Sequence, residues 1–481
     1  MSAIVESEGS DSSEKGVRKF VDDWLIYNTI LGEGAFGEVR LIANRKTREK
    51  IACKIMDVAK YKGSEMAITR EIRIHSVLNH ENIIRYFGLR KEPNRVYLFL
   101  EYAPGGELFQ QIEPGVGMPS REAQNYMKQL VKGVSYLHSK GITHRDIKPE
   151  NILLSHNGIL KISDFGMATL FRHKGKERML DKKCGTKPYL APEILVGPYH
   201  AVPADIWSCG CVLVAMLAGE LLWNCPHEDY PEFAQYKEGN YLTSSPWNRL
   251  GNTPLSLVTR ILDINPLKRI SLEKILKHPW MTYNFSCDQP DSSTDSGSNG
   301  LHAIRRASMM EAPTDRESPY VTLSQPILPT RPVCLEDIVD KQARTNKKKD
   351  NIWFSQPIHN EHLIISSELQ FTQTPITKDN FSDLIQRMTR FFVTTQTEEK
   401  TAESLCSVLD ALHYTWTIDG SGAISISTVD NMKNQLVFKV TIFKMEKRIL
   451  LDFRLSKGCG LEFKKKFIKL KDCLSHIVCK V

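Results

Sequence analysis

Residues 144–166 read HRDIKPENILLSHNGILKISDFG. Asp146, Asn151 and Asp164 fall on loops beside two short apolar, strand-like runs, Ile152-Leu-Leu154 and Leu160-Lys-Ile162. Two carboxylates and an amide in that setting offer hard oxygen ligands with room for water, which is what a metal–triphosphate requires. A helical pattern leads into the stretch. Ser120 reads as its N-cap, Ala123, Tyr126, Met127, Leu130, Val134 and Leu137 form one stripe, and Gly141 marks its end.

Working upstream, Leu31-Gly-Glu-Gly-Ala-Phe-Gly-Glu-Val39 places Gly32, Gly34 and Gly37 where backbone N–H groups can approach phosphates. A dinucleotide-binding turn shares this spacing, but the residues after it, Glu38 to Ile42, are strand-like rather than helical. Lys54 lies in an apolar strand, Ile51 to Ile55, and needs a partner. Ile68, Glu71, Ile72 and His75 share one helical stripe, and a carboxylate there is costly unless paired. Lys54 and Glu71 satisfy each other, which aims an ammonium at phosphate.

Taken in order, these motifs resemble the eukaryotic protein kinases over roughly 260 residues. The resemblance implies an α+β bilobal protein kinase fold, with a β-rich N-lobe and an α-rich C-lobe, that uses ATP and Mg²⁺. It gives Asp146 the substrate hydroxyl's proton and has Lys148 steady the transferred phosphoryl group. Asn151 and Asp164 hold Mg²⁺, and Lys54, oriented by Glu71, braces the α/β-phosphates. ATP is implied to lie under Leu31, Gly32, Glu33, Gly34, Ala35, Phe36, Gly37 and Val39. Adenine meets backbone groups of Glu101 and Ala103, with Glu107 just beyond, and Cys53 is a mild departure from the pattern. Glu107 and Glu150 are the expected readers of a substrate arginine at −3, and Thr186 belongs to the substrate site. Lys148, together with Gly185-Thr-Lys-Pro-Tyr-Leu-Ala-Pro-Glu193, is the serine/threonine pattern. Asp205 to Gly210 and the pair Glu193–Arg269 are expected to support the fold.

Residues 170–183, LFRHKGKERMLDKK, contain no Ser, Thr or Tyr. The loop is therefore expected to be competent without phosphorylation, with Glu177 a candidate counter-charge to Arg145.

Five further stretches extend the resemblance to the DNA-damage checkpoint effector kinases over most of the chain. They are Leu100–Phe109, Gly141–Asn151, Phe354–Pro357, Arg387–Phe392 and Asp452–Gly458. This implies phosphorylation of Ser324 and Ser355, each followed by Gln-Pro, by damage-sensing kinases of the phosphatidylinositol-kinase-like group. Ser308, with arginine at −3, is a basophilic site. Implied partners are protein substrates, among them the phosphatase that activates cyclin-dependent kinases, and a 14-3-3-type adaptor. Implied localisation is the nucleus with a cytoplasmic pool.

Texture divides the chain into a flexible N-terminal extension (1–23), a kinase domain (24–285), a flexible regulatory linker (286–375) and a small α+β domain (376–481). The linker carries DQPDSSTDSGSNG and a KKK run, with too few apolar groups to offset ordering. In the last part, Leu384, Ile385, Met388, Phe391 and Phe392 read as one helix, and Leu405, Val408, Leu409 and Leu412 as a second. Strict alternation follows at 436–442 and 449–455, then a helical stripe through Leu461, Ile468, Leu474 and Ile477. The resemblance implies a kinase-associated (KA1-like) domain that restrains the catalytic domain. Residues from 439 onward hold 12 Lys/Arg against 4 Asp/Glu, so weak binding to acidic lipid, centred on Lys464-Lys-Lys466, is the competing reading.

Composition sets the outer bounds. With 481 residues, 41% hydrophobic and 25% charged, the chain has material for a large core. Its glycines and prolines show no collagen period, and no run approaches 18 uninterrupted apolar residues. The acidic, Ser-rich start is not a secretory signal. Eleven cysteines without a CxxC pair read as reduced thiols. A net charge of +8 does not announce a nucleic-acid binder.

Overall fold

The structure is a computed structural model that describes residues 17–285 and 389–479, except 22, 35–36, 59–64, 395–396, 421, 432 and 446–447. Ala35, Phe36, Ser308, Ser324, Ser355, the linker and the 384–388 stripe lie outside the described residues.

The N-lobe is a six-stranded antiparallel sheet built from β1 (Val17–Val21), β2 (Trp24–Gly34), β3 (Gly37–Asn44), β4 (Lys50–Asp57), β5 (Tyr86–Lys91) and β6 (Arg95–Glu101). Their spatial order is β1-β2-β3-β4-β6-β5. Residues 17–21, read from sequence as part of the flexible extension, form its edge strand and pair Val17 with Tyr27 and Lys19 with Leu25. Helix α1 (Glu65–Ser76) buries Ile68 and Ile72 against Met56, Val96 and Leu98 on one face of the sheet. Trp24, Ile26, Tyr97 and Phe99 fill the other face.

The C-lobe is helical: α2 (Ser120–Ser139), α3 (Pro192–Val196), α4 (Ala201–Ala218), α5 (Pro231–Glu238), α6 (Asn252–Ile261), α7 (Leu272–Leu276) and α8 (Pro279–Thr282). Helix α2 follows the expected stripe, but its cap is Pro119 and no side chain caps it. Ser120 is already helical. Its ring-fixed φ suits proline to the place where the first N–H groups have no helical partner. Helix α4 is long and apolar enough to cross a membrane by length and composition, yet it is buried inside the C-lobe against α2 and α6. Short strand pairs, β7 (Ile142–Thr143) with β10 (Thr169–Leu170) and β8 (Ile152–Leu154) with β9 (Leu160–Ile162), hold the loops that carry Asp146 and Asp164. The hairpin β11 (Arg172–His173) and β12 (Lys176–Glu177) follows.

Residues 389–479 form a second five-stranded antiparallel sheet. Its strands are β13 (Arg390–Val393), β14 (Thr415–Ile418), β15 (Ile424–Val429), β16 (Gln435–Met445) and β17 (Arg448–Lys457), in the order β13-β17-β16-β15-β14. Helices α9 (Glu398–Ala411) and α10 (Gly460–Cys473) bury Leu405, Leu409, Phe463, Phe467 and Leu470 against it. Phe391 and Phe392 are in strand β13, not in a helix. Pairing Phe391 with Leu451 and Val393 with Ile449 completes the edge beside β17, and Phe391 stacks on Phe453 at 5.6 Å. Adjacent phenylalanines fit either period, and the long-range sheet edge decides. The described residues from 17 to 282 and from 389 to 479 belong to one compact unit.

Candidate active site

Strands β2 and β3 meet at a tight turn in which Gly34 pairs with Gly37. A Cβ on Gly37 would lie 1.8 Å from the Ile55 carbonyl oxygen, so only glycine lets this turn press onto β4. Gly32 has open space beside its Cα. Among the described residues of the turn, Gly32 and Gly37 thus leave the backbone open to close approach.

Strand β4 presents Lys54 beneath that turn. Its Nζ donates to Glu71 Oε1 of α1 at 2.6 Å and to Asp164 Oδ1 at 2.9 Å. The Glu71 side chain is 2% exposed, while that of Asp164 is 46% exposed. Burial alone would lower the Lys54 pKa, but the charges of Asp164 and Glu71 override it and hold the ammonium above its ordinary value. Reciprocally, Lys54 holds the Asp164 carboxyl well below the usual carboxylate range. The pairing anticipated from sequence is present, with Asp164 as a second partner that spacing did not reveal. Asp164 adopts a left-handed backbone at φ 58° and its Oδ1 accepts from Gly166 N at 3.4 Å as well as from Lys54.

The other loop is hung from the C-lobe interior. Buried Asp205 on α4 accepts from Thr143 Oγ1 (2.8 Å), His144 N (3.0 Å), Arg145 N (2.9 Å) and His138 Nε2 (2.8 Å). Burial works against its ionisation, but the His138 bond and charge outweigh it and lower its pKa. Four donors on one carboxylate fix the backbone just before Asp146. Asp146 Oδ1 accepts from Thr186 Oγ1 at 2.7 Å, and its Oδ2 accepts from Asn151 Nδ2 at 2.9 Å. Lys148 Nζ lies 3.2 Å from Asp146 Oδ2 and donates to Thr186 Oγ1 at 2.8 Å. Burial would lower the Lys148 pKa, yet Asp146 and Glu150 raise it. Asn151 also donates to the Asp146 carbonyl at 2.8 Å.

Arg145 Nε donates to the Met167 carbonyl at 2.8 Å. Glu177, expected from sequence to face Arg145, instead pairs with Arg172 across the β11–β12 hairpin at 3.2 Å. Hairpin register brings residues 172 and 177 opposite each other, and no sequence spacing signals that. The expected Glu193–Arg269 pair is present at 2.6 Å, with Arg269 stacked over Trp207 at 4.9 Å. At the nucleotide edge, the Glu101 N–H donates to the Arg85 carbonyl at 2.9 Å and its carboxylate pairs with Lys161 at 2.8 Å. Cys53 is fully buried, and burial pushes its thiol up to about 12.

Glu107 and Glu150 come together beside Lys148. Burial, followed by the charge of Glu150, pushes the Glu107 carboxyl up to about 8, while Arg454 and Lys148 pull against it. Glu150 is raised as well, chiefly by burial. Both groups meet residues that sequence reading did not connect with them. Glu150 Oε1 accepts from Gly460 N at 2.6 Å, and Arg454 Nη1 reaches the Leu31 carbonyl at 3.4 Å. Lys464, 3% exposed at its side chain, donates to the carbonyls of Ile112 (2.8 Å) and Gln110 (3.1 Å). Phe109 joins the core of the C-terminal sheet. None of these contacts has a local sequence signature, since the hydrogen-bonded partners are 310 to 423 residues apart.

A glycine-bearing turn, an ammonium held between two carboxylates and a third carboxylate fixed on a C-lobe loop together make a nucleotide-dependent phosphotransferase site. A protein kinase domain model matches residues 26–281. The chain is 42% identical to serine/threonine-protein kinase grp of Drosophila melanogaster, covering 100% of this chain and 97% of that protein. It is 36% identical to serine/threonine-protein kinase chk-1 of Caenorhabditis elegans (93% and 87%) and 31% identical to serine/threonine-protein kinase chk1 of Schizosaccharomyces pombe (87% and 87%). The chain belongs to the protein kinase family, among the checkpoint-type serine/threonine kinases. ATP and a divalent metal are what that family uses.

Proposed function

We propose that this kinase transfers the ATP γ-phosphoryl group to Ser or Thr in protein sites with arginine at −3, within a DNA-damage checkpoint, under restraint by its own C-terminal domain. The observation that carries the catalytic part is the double pairing of Lys54 with Glu71 and Asp164. Asp164 offers exposed carboxylate oxygens, and Asn151, whose Nδ2 serves Asp146 twice, keeps its amide oxygen for a cation. Those are hard donors suited to Mg²⁺. When bound, the metal neutralises phosphate charge. Asp146 accepts the substrate hydroxyl's proton, Lys148 and Lys54 balance charge on either side of the transferred group, and Thr186 orients Asp146 and Lys148. The backbone at Gly32 and Gly37 admits the phosphates.

Glu107 and Glu150 are the readers of the −3 arginine. Two half-buried carboxylates with raised pKa values form a site that a guanidinium would stabilise. In the same surroundings, Gly460 N–H occupies Glu150 and Arg454 lies near Glu107. The domain formed by residues 389–479, read as KA1-like, therefore competes with substrate. Phosphorylation at Ser324 and Ser355 by damage-sensing kinases would relieve it, and a 14-3-3-type adaptor and a nuclear pool belong to the same reading. Burial of Lys464 argues for restraint over lipid binding as the domain's first role.

Phosphorylation of a peptide with arginine at −3 by the full chain, by residues 1–285 and by Asp146→Asn tests the proposal. The expected order is 1–285 well above the full chain, with Asp146→Asn inactive and phosphatase treatment of 1–285 without effect. Equal rates for the first two would remove the restraint, and activity in Asp146→Asn would remove the catalytic assignment.

A further inference from the structure

The outer face of the N-lobe sheet carries a groove of about 350 Å³. Arg18 and Lys19 of β1, Arg40 of β3 and Arg95 of β6 line it, with Glu38 the one acidic lining residue. Phe20, Tyr97 and Ile55 form an apolar floor, and the two rings lie 5.3 Å apart. Among the described residues, Arg40 is paired with Glu38 at 2.6 Å, while Arg18, Lys19 and Arg95 have no carboxylate within ion-pair distance. Three cations gathered around an apolar floor repel one another, so the groove favours an extended acidic peptide with some apolar character.

The chain itself supplies such a peptide directly before β1. Residues 1–16, MSAIVESEGSDSSEKG, carry four carboxylates, Glu6, Glu8, Asp11 and Glu14, against Lys15, together with the apolar pair Ile4-Val5. Strands lie about 4.8 Å apart, so β1 to β6, four steps along the sheet order, is about 19 Å. About six extended residues cover that distance. The segment is long enough to turn back at Gly16 or Gly9 and cross the groove, and its covalent tether puts it at an effective concentration of about a millimolar.

We infer that residues 1–16 fold back in cis onto the groove lined by Arg18, Lys19, Arg40 and Arg95, so that the N-terminal segment clamps the outer face of the sheet whose β2–β3 turn cradles phosphate. Charge complementarity carries the argument, and continuity with β1 makes the segment the nearest candidate. The ion pairs are solvent-facing, so docking weakens with salt over a Debye length of about 8–10 Å.

Zero-length carbodiimide coupling of the full chain tests this, because it joins the Lys19 amine only to carboxylates in contact with it. The expected product links Lys19 to Glu6 or Glu8, more than ten residues away. Its yield should fall at least threefold in 0.5 M NaCl, and at least threefold in Arg18→Glu/Arg95→Glu, a surface variant whose melting temperature is checked alongside. Mixing ¹⁴N and ¹⁵N protein separates links within one chain from links between two. Predominantly mixed-isotope links would overturn the cis assignment in favour of a second copy. Links confined to Glu14, or a yield insensitive to salt and to the double substitution, would overturn the groove as the docking site.

Discussion

Gly460, the first residue of α10, donates its backbone N–H to the carboxylate of Glu150 at 2.6 Å, four residues after Asp146. A Cβ at Gly460 would lie 2.6 Å from Cγ of Phe109, so the absence of a side chain is what lets the donor come so near. Gly460→Leu should separate the C-terminal domain from the catalytic domain. Peptide phosphorylation by the full-length variant should rise several-fold, approaching that of residues 1–285. An unchanged rate would mean the contact does not restrain catalysis.

Lys464 makes the companion contact, and it leaves a different signature. Its ammonium satisfies two carbonyls at the end of the Leu108–Gln111 turn. Lys464→Met keeps the stem but leaves those acceptors unpaired, at about 1–3 kcal/mol. Limited proteolysis between residues 286 and 388 should yield two halves that co-elute for the native chain and separate for Lys464→Met.

Lys54→Met tests chemistry and stability together. It leaves Glu71 buried without its cation, and breaking a buried pair in this way costs about 3–5 kcal/mol. Phosphotransfer should fall at least a hundredfold, with a melting temperature lowered by several degrees. The double variant Lys54→Met/Glu71→Leu should recover most of the melting temperature and none of the activity.

Glu107 gives restraint a pH dependence. Its carboxyl sits at about 8 in the docked arrangement, pushed up by burial and then by Glu150, and under the proposed restraint exposure on opening lowers it toward the ordinary carboxylate range. The docked state therefore holds a proton that the open state releases. This contribution to docking is full below the ordinary carboxylate pKa and is lost as pH rises through about 8. Activity of the full chain divided by that of residues 1–285 should climb between pH 6.5 and 8.5, and Glu107→Gln should flatten the climb.

Residues that act with near neighbours in sequence or through a regular period were legible before any coordinates. Glu71 stands on a 3.6-residue stripe, Lys54 in an apolar strand, and Asp146 and Asn151 five residues apart on one loop. What stayed hidden depends on distant backbone. Strand β13 exists because β17 needs an edge partner, and Glu177 turns to Arg172 because the hairpin register puts them opposite. Lys464 lies in a run of three lysines that composition reads as a candidate for acidic lipid, and the distant carbonyls of Gln110 and Ile112, with the carboxylate of Glu113, make it a buried anchor. The edge strand at 17–21 was missed for the same reason, since its signal is the register with Tyr27 and Leu25 rather than its own five residues.

Phe109 is a kinase-lobe residue whose ring completes the hydrophobic core of another domain, edge-on to Phe463 at 6.2 Å. Under the proposed restraint, release of Glu150 to substrate would also bare that ring to water. In that reading the released form exposes apolar surface that the docked form keeps covered.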